Sequence, residues 1–484
     1  MKITFDMTAL SNSELSPSNV YITFAANASD MVYGANETIN FSGGNITIDG
    51  ASYGTSKAYS LQDIATNGLV LNSATSLVGF ISYGSATGIE MLPTGTQPNF
   101  LSSATPRYSI FEVSYDGTGG GADITNISQF GGSIVLAFLN SGSVQTQVGN
   151  TLDTTSMFNA LAAASGFSGS TSTSAVYLDS TGHFIRVIGT NVFPNGPAQT
   201  PYPTFNAYLQ SLFTSYGSSS VVQELTNLAP GQKPGGTGSV GYQSTGSATN
   251  VSPNTIYNLD YHFTAVVTQV TSPDPANNNP NGTYSVELSG YVNATLAGSN
   301  PKDVQSYKYD NLSITVAADV LTSGNVNLFM TNFIYQAATA GAGINVTTSG
   351  WDDLNNDFGT ANVNAAFLQK AAGDFAEGMT CGFPGSTTPS TSTPGTDLDK
   401  LTSYEWWLNP LLAYEPAQPA NPYYSAYGNV VSANSGGING ITFSRGGVYG
   451  SPYDDRFGLN LISPNAQTDE MRITLLADGN LKPA

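Results

Sequence analysis

The chain has 484 residues, with 52 glycines and 25 prolines, and only 10% of its residues are charged, against the ~25% usual in soluble domains. A net charge of −20 and a pI near 4.1 argue against nucleic acid or an anionic membrane surface as a partner, because both are held by Lys and Arg, of which there are 13. No apolar run is long enough to span a bilayer, the single cysteine, Cys381, excludes an internal disulfide framework, and the opening segment Met1–Asp6 lacks the apolar stretch of an ordinary signal peptide.

From residue 1 to about 145, alternating apolar and polar residues between Gly, Asn and Ser turns predict strands. Val20-Tyr-Ile-Thr-Phe24, Tyr108 to Tyr115 and Ile134-Val-Leu-Ala-Phe138 are the clearest. Beyond 150 the period changes. Met157 to Ala164 fits a short helix. Phe205, Tyr208, Leu209, Leu212 and Phe213 recur at helical spacing, with Pro203-Thr204 before them and Gly217 after.

Residues 228–255 read as a loop. Strands return at Tyr284-Ser-Val-Glu-Leu288 and Leu312-Ser-Ile-Thr-Val316, and a third helix is expected near Asn364 to Met379. Residues 382–398, rich in Pro, Ser, Thr and Gly, form a connector with nothing to pack. The organisation expected is a β domain over 1–145, a mixed α/β domain over 146–398, and a C-terminal segment over 399–484. No repeat of 20–50 residues suggests a solenoid or propeller.

Few residues can carry chemistry. His183 and His262 each stand alone in an apolar run and read as structural, and Cys381 has no His nearby in sequence. No zinc cluster, P-loop or dinucleotide fingerprint occurs, so neither a metal nor a cofactor is expected. Asp353-x-Asn355-x-Asp357-x-Gly359 has the spacing of half a calcium loop, but its Gly falls one place late and no Glu follows at the bidentate position, so it reads as a turn.

Carboxylates and aromatics remain. In the strand Tyr108–Tyr115, Phe111, Val113 and Tyr115 share one face, which puts Glu112 on the other with Ser114. A hairpin centred on Gly120 sets Glu112 opposite Ser128, and it turns Asp123, at an odd offset from Ser128, to the opposite side of the sheet. Where an inverting glycosidase would need its second carboxyl, about 6.5–9.5 Å from the first, this register supplies a serine.

The chain resembles glycoside hydrolase family 64, the β-1,3-glucanases with a thaumatin-like barrel. The resembling pieces, in order, are Phe111-Glu112-Val113-Ser114; Ala122-Asp-Ile-Thr-Asn-Ile-Ser-Gln-Phe130-Gly131; Arg186-Val187-Ile188 followed by Tyr202-Pro-Thr-Phe-Asn-Ala-Tyr208; Ala376-Glu-Gly-Met-Thr-Cys-Gly-Phe-Pro-Gly385; Asn421-Pro-Tyr-Tyr424; and Val448-Tyr-Gly-Ser-Pro-Tyr453-Asp454-Asp455. They cover roughly residues 16 to 478.

The resemblance implies a fold that is mainly β with an α/β second domain. In it a thaumatin-like β-barrel or sandwich and the mixed domain form a crescent around a wide groove, and the C-terminal segment returns to the first domain. It implies β-1,3-glucan as partner, Glu112 as the catalytic Glu, and Ser128 at the position of the family's Asp. It further implies sugar contacts from Ser114, Asp116, Asn126, Tyr453, Asp454 and Asp455, and an extracellular setting.

A serine cannot act as general base without a base of its own, and loss of that base removes about 10²- to 10⁴-fold in rate. Three functions follow: a glucan-recognising protein with hydrolysis weakened or lost at Ser128, an active inverting endo-β-1,3-glucanase with a relocated base, or a structural, toxin or assembly protein that reuses the scaffold. Asp116, Asp454 and Asp455 are candidates for the relocated base. Of the adjacent Trp406 and Trp407, at most one reaches a groove, and Trp351 reads as core.

Overall fold

The computed structural model describes residues 1–10, 15–25, 28–34, 37–42, 45–48, 51–53, 57–86, 89, 98–102, 105–169, 171–193, 201–202, 205–216, 221–226, 255–277, 282–297, 304–316, 426–438, 448–450 and 462–484. The described chain is mainly β, with fewer helices. It divides into two units, one of residues 1–192 with 426–484 and the other of residues 193–425. The expected third helix, the half calcium loop, the connector, Cys381 and the three tryptophans lie outside the described residues. Among the described residues no helix is long and apolar enough to cross a membrane.

The first unit is organised by a large sheet that joins both ends of the chain. The strand Lys2–Asp6 runs parallel to Glu470–Leu475, which pairs antiparallel with Ile134–Asn140. That strand continues through a hairpin into Ser143–Asn150. On its other side Lys2 pairs with Val70 of the long strand Leu69–Tyr83. This strand carries Ala28–Tyr33 and Val20–Ala25 along one edge and Tyr108–Tyr115 along the other. Alternation explains the packing: in Val20–Ala25, Val20, Ile22 and Phe24 are buried while Tyr21, Thr23 and Ala25 are half-buried. Each buried apolar side chain of this size contributes about 1.5–3 kcal/mol.

The strand Tyr108–Tyr115 matches the expected bounds, and its two faces differ. Phe111, Val113 and Tyr115 are buried in the core, where the Phe111 ring covers Gly79 so closely that a Cβ there would overlap it. On the other face Tyr108 and Ile110 pack with Phe80, beside Ala25, Val78, Ile89 and Phe100. Glu112 and Ser114, next along that face, are half-buried.

A smaller sheet of Gln129–Phe130, Phe184–Ile188 and Val176–Leu178 packs on the helix Thr154–Ala164. Phe158 of that helix stacks on Phe184 at 4.9 Å and meets Phe130 edge-on at 4.9 Å. The helix begins at Asp153, whose carboxylate accepts from the Ser156 N–H at 2.9 Å. His183 lies in the turn before its strand rather than within it, with Nδ1 2.8 Å from Thr181 Oγ1.

The second unit pairs an amphipathic helix with an antiparallel sheet. The helix Phe205–Tyr216 forms where its periodicity predicts, with Tyr208, Leu209 and Leu212 buried. The sheet runs in the order Val221–Thr226, Thr255–Thr271, Thr283–Ala297, Val304–Val316. The ring of Phe213 lies 5.7 Å from that of Tyr284. His262 pairs with Thr226 and Tyr291 within this sheet.

Candidate functional site

The hairpin that carries Glu112 has a different register from the one a turn at Gly120 predicts. Tyr115 pairs with Gly120, Ser114 with Gly121, Val113 with Ala122, and Glu112 with Asp123. Glu112 therefore does not face Ser128, and Asp123 shares the side of the sheet occupied by Glu112 rather than the opposite one. The turn is Asp116–Gly119, closed by the Asp116 N–H on the Gly119 carbonyl at 3.0 Å.

Local chemistry fixes that turn. Asp116 Oδ1 accepts from the N–H groups of Thr118 and Gly119 at 2.9 and 2.8 Å, and Gly117 takes a positive φ of 95°. The Thr118 and Gly119 N–H groups also hold the Asp116 carboxyl below its ordinary pKa. Gly120, at φ 144°, passes so near Ser114 that a Cβ would collide with the Ser114 carbonyl. Asp116 thus builds the turn that aligns Glu112 with Asp123.

The two carboxyl groups sit in unequal surroundings. Glu112 is half-buried between Val78 of the neighbouring strand and Asp123. Asp123 is only 7% exposed. Thr125 Oγ1 donates to its Oδ1 at 2.8 Å, and among the described residues no donor reaches Oδ2. Burial pushes the Asp123 carboxyl up to about 7, against the pull of the Thr125 hydrogen bond. A carboxyl without a cation in low dielectric holds its proton. Two neighbouring carboxyls whose environments differ in this way form the arrangement from which acid and base roles are built.

The remaining expected residues divide. Ser114 lies two places from Glu112 on the same face, where its Oγ accepts from the Ser76 N–H at 3.0 Å. Asn126 is buried; its N–H donates to the Tyr449 carbonyl at 2.8 Å, while its Nδ2 has no partner among the described residues. Ser128 lies beyond the end of the Gly120–Ile124 strand, and its carbonyl accepts from the Gly189 N–H at 2.8 Å. The next residue, Gln129, donates to the Tyr108 carbonyl, four residues along the strand from Glu112. Tyr453, Asp454 and Asp455 lie outside the described residues. The flanking Tyr449 and Ile462 bridge to Thr125 and Ala122, on either side of Asp123.

Sequence reasoning set Asp123 on the side of the sheet away from Glu112, though a signal for the observed register was present. Asp-Gly is a strong hairpin turn pair, and a turn over Asp116–Gly119 leads directly to the Glu112–Asp123 register. It also missed two buried arginines that secure the strand. Arg107 makes a bidentate pair with Asp478, Nη1–Oδ1 3.0 Å and Nη2–Oδ2 2.6 Å, and lies over the Tyr83 ring at 4.0 Å. Arg186, fully buried, donates to the carbonyls of Thr105 and Ser102 just before the strand and lies over Tyr177 at 4.6 Å. Burial lowers the Arg186 pKa.

Neither a family model nor a curated protein matches the chain. Among solved structures it is similar to a β-1,3-glucanase domain (GH64) from Clostridium beijerinckii, at 10% identity over 98% of each chain, with a TM-score of 0.45. It is also similar to a laminaripentaose-producing β-1,3-glucanase in complex with laminaritetraose, at 11% identity over 99% of this chain and 98% of that one, with a TM-score of 0.43. A GH family 64 laminaripentaose-producing β-1,3-glucanase from Paenibacillus barengoltzii matches 45% of this chain and 54% of that one, at 17% identity and a TM-score of 0.30.

Proposed function

We propose that the protein binds β-1,3-glucan and cleaves it through carboxyl chemistry centred on Glu112. The observation that carries this reading is the second carboxyl, Asp123, directly opposite Glu112 on the half-buried face of the sheet. The ordered set of family-like pieces that contains both residues supports the choice of substrate. The expectation that Ser128 weakens or abolishes hydrolysis rests on Ser128 being the partner of Glu112, and with Asp123 in that place the pair has two carboxyls without it. Ser114, Asn126, Tyr453, Asp454 and Asp455 are the proposed sugar contacts, and Asp116 acts by shaping the turn.

A second reading, glucan recognition without efficient hydrolysis, is favoured by Ser128 at the position where the resemblance implies an Asp. The test is release of reducing ends from linear β-1,3-glucan by the full chain, with Glu112→Gln alongside. Product that the variant loses, by about 10²-fold or more, supports cleavage. Co-sedimentation with insoluble glucan without any product supports recognition alone, and absence of both overturns the two readings together.

A further inference from the structure

The two buried arginines at the start of the Tyr108–Tyr115 strand are compensated differently. Arg107 meets the Asp478 carboxylate through two hydrogen bonds. Arg186 is 0% exposed, and among the described residues its partners are all neutral. Nη1 donates to the Thr105 carbonyl at 2.8 Å and Nη2 to the Ser102 carbonyl, while the Tyr177 ring covers the guanidinium at 4.6 Å. A buried charge is ordinarily matched by an opposite one, and a charge left without it is costly.

Three donors remain around that cation. Arg186 Nε, Tyr108 Oη and Thr105 Oγ1 are buried without a hydrogen-bond partner among the described residues. Thr105 is held at the guanidinium by its own carbonyl. Tyr108 lies close enough for the two groups to act on each other: burial pushes the Tyr108 hydroxyl up and Arg186 opposes it, while burial lowers Arg186 and Tyr108 opposes that. The register of the small sheet supports the same placement. Arg186 pairs with Tyr177, and Gln129, paired with Ile188 two residues along, donates to the Tyr108 carbonyl, so one face of this sheet carries both side chains toward residues 102–108.

An occupant of this place must carry negative charge, accept from N–H and O–H donors together and donate nothing. It must also be small, since Arg186 and Tyr108 are 0% and Thr105 2% exposed. A monatomic halide meets these conditions. The net charge of −20 does not oppose it, because attraction to a desolvated guanidinium is local and far stronger than the same attraction in water.

We propose that Arg186, Tyr108 and Thr105 form a buried binding site for a chloride ion, which neutralises Arg186 and ties residues 102–108, the approach to the Glu112 strand, to the small sheet. The site is independent of whether the protein cleaves glucan.

The experiment follows thermal unfolding of the full chain as sodium chloride replaces sodium gluconate at constant ionic strength, so that screening is fixed. The midpoint is expected to rise with chloride and saturate. Tyr108→Phe keeps the ring against Phe80 and removes one donor, and it is expected to need about tenfold more chloride for the same shift. Arg186→Met is expected to lose the shift; should it not fold, Tyr108→Phe carries the comparison. In crystals grown in sodium chloride, a long-wavelength anomalous difference map is expected to show a peak at hydrogen-bond distance from Arg186 Nε. A midpoint indifferent to the exchange, a Tyr108→Phe variant with the native chloride dependence, or a water joining Arg186 Nε to the unpartnered Gln129 Oε1 in place of that peak overturns the site.

Discussion

Two buried aspartates of the same unit have opposite fates. Asp478 is 3% exposed and meets the guanidinium of Arg107 through two parallel hydrogen bonds, so its charge is neutralised where it lies. Asp123 is 7% exposed and, among the described residues, accepts from a threonine hydroxyl and has no cation beside it, and burial pushes its carboxyl up to about 7. The first arrangement ties the C-terminal segment to the start of the Tyr108–Tyr115 strand. The second leaves a titrating group beside Glu112 on the same strand pair. A buried carboxyl matched by a cation is structural; one matched by nothing stronger than a hydroxyl is where chemistry is to be sought.

The largest loss is expected at the Arg107–Asp478 ion pair. Arg107→Met leaves Asp478 charged and buried without a partner, and the expected loss is about 3–5 kcal/mol, read from denaturant midpoints at pH 7. Asp123→Asn should do the reverse. In the folded protein Asp123 keeps its proton up to about 7, above the ordinary carboxyl value of 3.8. The folded state therefore binds more protons than the unfolded chain between those values, and stability falls as pH rises through that window. The Asn variant lacks this dependence. Thermal unfolding should show it gaining on the native chain above pH 7, by up to a few kcal/mol, and not at pH 4 or below.

A smaller effect sharpens the register itself. Gly120→Ala places a Cβ against the Ser114 carbonyl at a positive φ. It should cost about 1–3 kcal/mol and lower the rate of any Glu112-dependent reaction along with stability. The smallest effect is expected at Ser128→Asp. This substitution adds a carboxyl beyond the end of the Gly120–Ile124 strand, at the residue whose carbonyl meets the Gly189 N–H rather than at the position paired with Glu112. Reducing-end assays should show no rise in rate; a tenfold gain would return the partner's role to position 128.

Much of the local structure was legible because its causes are local. The helix Phe205–Tyr216 follows from five apolar residues at helical spacing, and the strand Tyr108–Tyr115 from alternation alone. The side of the sheet that Glu112 takes follows from the same alternation. Its partner did not follow, because pairing depends on where the turn closes, and a shift of the centre from Gly117–Thr118 to Gly120 exchanges Asp123 for Ser128. The Asp116 side chain, bonded to the two N–H groups that follow it, decides between these choices. The pair Arg107–Asp478, separated by 371 residues, and the parallel pairing of Lys2–Asp6 with Glu470–Leu475 leave no mark in any local window.

The central claim is that Asp123 completes the site around Glu112, and the most direct test is reducing-end release from linear β-1,3-glucan by the native chain and by Asp123→Asn. Asn keeps an oxygen that can accept from Thr125 and replaces the titrating oxygen by an amide that neither gives up nor takes a proton. Product is expected from the native chain and a loss of about 10²-fold or more in the variant, with glucan co-sedimentation and unfolding at pH 7 not weakened. An Asp123→Asn variant that releases reducing ends at the native rate would contradict it.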